Sequence, residues 1–240
     1  MPEEFEGDLA GAVFWGADLT GARFRDVDLT AARVSHALVV DVDVEIDAFI
    51  DNVVINGVDV TAYVNEHDQW YPLRAMLRPT TPDDMRATWA ALEAEWVTTI
   101  DHARSLPDHA LHESVNGEWS FVQTVRHLVF ATDKWFTAPI DGTGFHPIGL
   151  PNIGSIDFPW PDLDLTGTPS SSEALSVWDG RSAKVRDFVD TVSAAEFTRP
   201  IDVLENGAHP LSECLSTVFE EAFWHIRYAR RDLAQLALAG

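Results

Sequence analysis

The stretch Ala17-Asp18-Leu19-Thr20-Gly21 contains the pattern that decides the fold of the first quarter of the chain. A small residue comes first, an apolar residue lies at the centre, and polar or small residues fill the other positions. Reading outward from Leu19 in steps of five gives an unbroken apolar series: Leu9, Phe14, Leu19, Phe24, Leu29, Val34, Val39, Val44 and Phe49. A period of five fits neither an α-helix nor a β-strand, whose side chains repeat every 3.6 and 2 residues. The pattern therefore predicts a repeat architecture.

These five-residue units resemble the pentapeptide-repeat family, in which a small residue precedes a central Leu or Phe. The resemblance implies a right-handed quadrilateral β-helix, in which each pentapeptide forms one side of a square coil and the central apolar residue points inward. Asp59 is expected to start a short helix, through Val64, that covers the open end of the coil. We therefore assign residues 1–64 to a β-solenoid with an end-capping helix.

The length of this solenoid leaves two roles open. Longer acidic pentapeptide proteins mimic duplex DNA and bind topoisomerases, and this segment is also acidic. The units from residue 9 to residue 49, however, give only about two square turns, which is little for a mimic of a duplex. A small stacking or dimerisation module is therefore the favoured role, and it makes a homodimer possible.

The composition of the chain argues against several classes of partner and against a disordered protein. The 240 residues include 16 Lys and Arg against 39 Asp and Glu, a formal net charge of −23. This excess of acid argues against nucleic-acid or anionic-membrane partners, because both require basic contact surfaces. With 46% hydrophobic residues, the chain is too apolar to be disordered. One cysteine, an acidic start without signal-sequence features and no apolar run of about 18 residues lead us to expect a cytoplasmic protein.

Beyond residues 65–80, which we interpret as a linker, the hydrophobic period changes to 3.6. This period predicts four amphipathic helices in residues 81–240, with approximate extents of 82–104, 120–138, 171–192 and 210–233. The connection 139–170 holds six prolines and is too long for a turn between antiparallel neighbours, so the second and third helices are expected to run parallel. The sequence thus predicts a multi-domain protein in which an all-α four-helix bundle follows the solenoid.

Three residues of these helices form a candidate metal site. Glu221 and His225 are four residues apart and share one face of the last helix, which adjacent apolar residues turn toward the interior. His127 lies within the apolar stripe of the second helix. A His-Glu-His set would leave a divalent cation with an open coordination position. Spacing alone also allows ordinary core or surface roles, which we expect for six other histidines: His36, His67, His102, His109, His112 and His209.

Two segments resemble the DinB-like four-helix bundles. In residues 118–128 a Trp-Ser pair stands seven residues before His127, as it does before a metal-binding His of that family, and residues 219–233 resemble its fourth-helix motif. Glu221 stands where many members have His, a departure shared with the mycothiol-dependent maleylpyruvate isomerase branch. The resemblance covers roughly residues 80–238. It implies an up-down-down-up order of helices and metal ligation by the three candidate residues, with zinc as the ion and nickel as the alternative.

The same resemblance implies a function. Several branches catalyse transfer or isomerisation with a low-molecular-weight thiol such as mycothiol, whose pKa a bound metal would lower. We therefore expect a metal-dependent thiol S-transferase or isomerase that acts on an electrophilic small molecule. The alternative is a non-catalytic metal-binding scaffold joined to a pentapeptide-repeat interaction module.

Four further residues have two interpretations each. His146, in the long connection, either reaches the pocket or is simply exposed. Arg227 and Arg231 either orient an anionic substrate or pair with Asp232 and other acids, and the spacing favours pairing. Cys214 lies on the same face of the last helix as the candidate ligands, and we expect it to be a buried, inert thiol.

Overall fold

The computed structural model describes residues 5, 7–24, 27–44 and 50–239. The chain divides into two compact units, Met1–Glu45 and Ile46–Gly240. The first unit contains the five-residue repeats, and the second contains all the predicted helices.

Turns recur through the first unit at the period of the repeat. Backbone φ is left-handed at steps of five from residue 11: Gly11, Gly16, Gly21, Ala31, His36 and Asp41. The carbonyls of residues 9, 19 and 29 each accept a hydrogen bond from the amide three residues later, at 2.9–3.0 Å. An Asp carboxylate precedes each of these turns and accepts from the amide two residues on, at 2.8–3.0 Å. The repeat therefore specifies a series of turns.

The apolar residues at the centre of the repeats are exposed. Their exposed fraction ranges from 47% for Leu19 to 82% for Val34, and no strand is present among the described residues of this unit. The inward orientation expected for them is thus not observed, and the quadrilateral β-helix stays a prediction. A solenoid buries its apolar residues between stacked repeats, and about two turns offer few such layers. Phe49, the last of the series, lies outside the described residues.

The second unit begins with a hairpin and two short helices. Strands β1 (Val54–Ile55) and β2 (Val58–Asp59) are antiparallel, and the turn between them is Asn-Gly with both φ values positive, as tight hairpins require. Helix α1 (Thr61–His67) runs three residues beyond its predicted end, and α2 (Tyr71–Arg74) follows. Arg74 is buried and pairs with Asp68 at 2.6 Å. Much of the segment predicted as a linker is therefore folded, because this ion pair holds it.

Four long helices follow at the positions that the 3.6-residue period predicts. They are α3 (Pro82–Arg104), α4 (Phe121–Thr132), α5 (Ser171–Thr191) and α6 (Leu211–Ala239). Capping boxes at Thr81 and Ser120 start α3 and α4, since each side-chain oxygen accepts the amide three residues on. Helix α4 continues as a π-helix over Asp133–Asp141, which accounts for the predicted extent to about residue 138. An antiparallel pair, β3 (Pro200–Asp202) and β4 (Ala208–Pro210), precedes α6.

These helices form an all-α unit around one core. Helices α3 and α4 each contact both α5 and α6. Aromatic side chains fill the centre, where Trp89 and Trp96 both pack edge-on against Trp178, and Trp89 also lies 5.5 Å from Phe219. The up-down-down-up order of the predicted bundle stays a prediction. None of the described helices combines the length and apolarity needed to cross a bilayer.

Candidate metal centre

His127, Glu221 and His225 converge where α4 packs against α6. One ligand-type atom from each residue lies within 4.8 Å of the other two. The four-residue step places Glu221 and His225 on the same face of α6, and the contact between the helices brings His127 to it. Both imidazoles are buried, with 5% of His127 and 9% of His225 exposed. Sequence analysis therefore identified a set of residues that the fold brings together.

Backbone carbonyls orient both imidazole rings. Nδ1 of His127 lies 2.9 Å from the carbonyl oxygen of Leu150, and Nδ1 of His225 lies 2.8 Å from that of Glu221. Because a carbonyl oxygen only accepts hydrogen bonds, these contacts place the imidazole proton on Nδ1. Nε2 of each neutral ring then carries a lone pair. Metal-ligating histidines are oriented by the same kind of contact.

The carboxylate of Glu221 completes a set of acceptors. Its Oε2 lies 3.3 Å from Nε2 of His127 and 3.6 Å from Nδ1 of His225. Burial acts to raise the pKa of Glu221, but hydrogen bonding to a proton on Nε2 of His127 in the metal-free site, together with the charges of both histidines and of Lys134, outweighs burial and lowers the pKa. An ionised carboxylate facing an imidazole lone pair repels it unless a proton or a cation lies between them. The donor set thus fits a divalent cation.

Comparison with protein families agrees with this geometry. The family model described as the DinB superfamily matches residues 91–229. The chain belongs to the DinB superfamily. A model of pentapeptide repeats matches residues 8–43 with 8 copies, so the two resemblances seen in the sequence are both confirmed. Comparison with curated proteins and with solved structures gave no match.

An aromatic wall borders the candidate metal centre of the DinB domain. The Trp119 ring lies 4.7 Å from the His127 ring and 6.4 Å from the His225 ring, measured between centroids. A cavity of about 70 Å³ opens beside them, lined also by Glu118, Thr124, Tyr228 and Asp232. Sequence analysis included Trp119 only as part of a motif and did not assign Tyr228 or Asp232 to the site. Their positions, three and seven residues after His225, place them on the same face of the helix as that residue, and this spacing could have predicted that they border the site.

The four further residues discussed in the sequence analysis are not among the three candidate ligands. Arg231 pairs with Asp232 through contacts of 2.7 and 3.2 Å, as the pairing interpretation predicts, and the Arg227 guanidinium lies 6.0 Å from the centre of the Phe223 ring. His146 is half-buried in the long connection. Cys214 is fully buried, and burial raises the pKa of its thiol to about 11, so it is inert as predicted.

Sequence analysis missed a buried ion pair of the DinB domain. Asp133, at the start of the π-helix, is fully buried and lies 2.6 Å from Nε of Arg181 on α5. Its carboxylate also accepts hydrogen bonds from the Thr137 hydroxyl and, at 2.7 Å, from the backbone amide of His146. Burial raises the pKa of Asp133 despite these partners. The pair thus connects α5 and the long connection to the helix that carries His127.

Proposed function

We propose that the DinB domain holds one divalent metal ion through His127, Glu221 and His225, with zinc as the ion and nickel as the alternative. The observation that carries the proposal is the convergence of one ionised carboxylate and two imidazoles, whose Nδ1 protons are directed to carbonyls, within 4.8 Å. Two nitrogens and one oxygen are ligands that zinc accepts, and three protein ligands are typical of catalytic sites that keep a position open.

We further propose a metal-dependent S-transferase or isomerase that uses a low-molecular-weight thiol of the mycothiol type. A divalent ion at this set would lower the pKa of a thiol bound to it. Cys214 supports an external thiol, because the chain's one cysteine is buried and its pKa is about 11. The protein therefore offers no thiolate of its own at neutral pH.

The residues around the ligands support a site for small molecules. The Trp119 ring packs beside both imidazoles, and Tyr228 and Thr124 are among the residues that line the adjoining cavity. A second cavity, of about 310 Å³, is lined by Lys134, Pro139, Phe145 and Leu204 among others. Lys134 also lowers the pKa of Glu221 by its charge, so this second cavity is a candidate place for the electrophile.

Metal analysis and a turnover assay test the proposal. Purified protein is expected to contain about one zinc per chain, and His225→Ala is expected to lose it. His112→Ala is the matched control and should keep the metal, because His112 is exposed, pairs with Asp108 at 3.6 Å and is not one of the three candidate ligands. Loss of mycothiol with a panel of electrophiles is then measured for both variants. Full metal content in His225→Ala would overturn the metal centre, and metal without turnover in wild type would overturn the enzyme.

The second candidate function is a metal-binding scaffold with an interaction module. The exposed apolar positions of the repeats favour it, because exposed apolar residues in a regular series are typical of contact surfaces. In this function a second copy of the chain covers the repeats and gives a homodimer. Sedimentation of the full chain beside a variant with Phe14→Ser and Leu19→Ser tests it. A monomer in both cases would refute the homodimer.

A further inference from the structure

Arg126, the residue before His127, is bound to the long connection by its whole side chain. The residue is buried, with 6% exposed. Its Nε donates to the carbonyl of Ile148 at 2.8 Å, and its two terminal nitrogens donate to the carbonyls of Gly167 at 2.8 Å and Asp164 at 3.2 Å. One guanidinium therefore holds both arms of the connection, residues 148–150 and 164–167, against α4.

The backbone of the same connection reaches the candidate ligand. The amide of Leu150 donates to the carbonyl of Arg126 at 3.1 Å, and the carbonyl of Leu150 accepts from Nδ1 of His127 at 2.9 Å. Ile148, which the guanidinium holds, is only two residues before Leu150. The side chain of Arg126 and the ring of His127 are thus hydrogen-bonded to carbonyls only two residues apart in the first arm of the connection, and the backbone of residues 148–150 joins them.

We propose that Arg126 is a positioning residue for the metal ligand His127. By fixing residues 148–150, it holds the Leu150 carbonyl where that oxygen selects the ring tautomer with the proton on Nδ1. If the connection is displaced, the Leu150 carbonyl no longer holds the proton on Nδ1, and the proton can move to Nε2. A ring with its proton on Nε2 has no lone pair directed toward Glu221, so it binds a metal ion there more weakly. This inference rests on the proposed metal site. It adds that the long connection influences the metal affinity of that site.

The proposal has a reciprocal consequence. If the position of the connection raises metal affinity, then metal binding stabilises that position by the same factor. Zinc should therefore protect residues 142–170 from proteolysis in wild type. A purely structural role for Arg126 would lower the stability of the fold and leave the metal affinity of the folded protein unchanged.

The first test replaces Arg126 with Lys, which keeps the charge and the aliphatic stem but loses the planar fork that reaches three carbonyls. Zinc affinity is measured by competition with a chelating dye, the cobalt form is followed by its visible absorption, and far-ultraviolet circular dichroism confirms folding. We expect zinc binding to weaken about 10- to 100-fold, the range for the loss of such outer contacts. Arg104→Lys, at an exposed pair with Asp101, is the control and should bind as wild type does.

The second test moves the connection without altering Arg126. A Cβ on Gly149 would lie 3.1 Å from the Leu163 side chain and 3.3 Å from both the His146 carbonyl and the Phe130 side chain, so in Gly149→Ala these neighbours or residue 149 itself must give by a few tenths of an ångström. Gly154→Ala is the matched control, since its added Cβ would meet nothing within 4 Å. We expect weaker zinc binding in Gly149→Ala alone, with less zinc-dependent protection of the connection.

The outcomes separate this inference from the proposed metal site. If wild type binds no metal, the proposed site fails. If wild type binds zinc while folded Arg126→Lys and Gly149→Ala bind it within threefold of wild type, the positioning role is wrong and the site stands. If Arg126→Lys does not fold, Gly149→Ala against Gly154→Ala decides the matter.

Discussion

Replacing Glu221 with Gln should stabilise the metal-free protein and remove most of its response to zinc. In wild type, Oε2 of Glu221 and Nε2 of His127 are 3.3 Å apart, and both are acceptors when the imidazole is neutral. A Gln side chain has nearly the same shape, but its amide group donates hydrogen bonds. It can therefore supply the missing hydrogen between these two positions while removing the negative charge that attracts a cation.

The two effects have opposite signs and measurable sizes. A new hydrogen bond contributes about 0.5–1.5 kcal/mol, and about 1 kcal/mol shifts Tm by about 2–4 °C in a domain of this size, so metal-free Glu221→Gln should melt about 1–6 °C higher. Zinc at about 100 times Kd stabilises wild type by about 2.7 kcal/mol, or about 5–11 °C. Dividing about 10–16 kcal/mol, the range for structural zinc sites with four ligands, by four gives about 2.5–4 kcal/mol for one ligand, so the variant should bind about 60- to 700-fold more weakly.

Thermal unfolding with and without zinc, at pH 8, measures both effects. Glu220→Gln is the matched control, because Glu220 is the adjacent residue of α6, pairs with Arg78 at 3.5 Å and is not one of the three candidate ligands. It should keep the zinc response of wild type. A Glu221→Gln variant that zinc stabilises as much as wild type would refute the assignment of Glu221 as a ligand.

Three further predictions concern the rest of the DinB domain. Asp133→Asn leaves Arg181 buried without its counter-charge and should lower the free energy of unfolding, measured in urea, by about 3–5 kcal/mol. Arg186→Gln, at the exposed pair with Glu93, is the control and should lower it by about 1 kcal/mol or less. Equal effects of the two substitutions would contradict the role of the buried pair. Cys214, with its pKa of about 11, should react with a disulfide reagent at pH 8 only after unfolding, and rapid reaction of native protein would show that the thiol is accessible. Ser120→Ala removes one half of a capping box and should cost about 0.5–2 kcal/mol in the same urea assay, while an unchanged midpoint would mean that the cap contributes nothing.

The sequence predicted the helices of the DinB domain because their signals are local. The capping residues Thr81 and Ser120 and the apolar period of 3.6 depend only on near neighbours, and all four helices begin within one residue of the expected position. The pairing of Glu221 with His225 is equally local, since a four-residue step places both on one face of any helix.

The rest of the site depends on contacts between distant residues. Spacing alone could not bring His127 to α6, because the alignment of two helices is set by packing across the core, and the prediction relied on family resemblance at this point. The contact with Leu150 depends on the path of a connection that Arg126 holds, and no local pattern specifies that path. The five-residue repeat led to the expectation that Leu19 and its equivalents point inward, which is not observed, because such burial requires stacking, whereas the turns that recur at this period are local.

The Leu150 carbonyl has a consequence for how this site changes in evolution. A main-chain oxygen persists through every substitution, so a change of the side chain at position 150 does not by itself remove the oxygen that contacts His127. The selective constraint falls instead on residues that shape the backbone, such as Pro151, which restricts the preceding residue to extended conformations. The side chain at 150 is therefore a position at which a protein engineer can alter the neighbourhood of the imidazole and leave its orienting hydrogen bond in place.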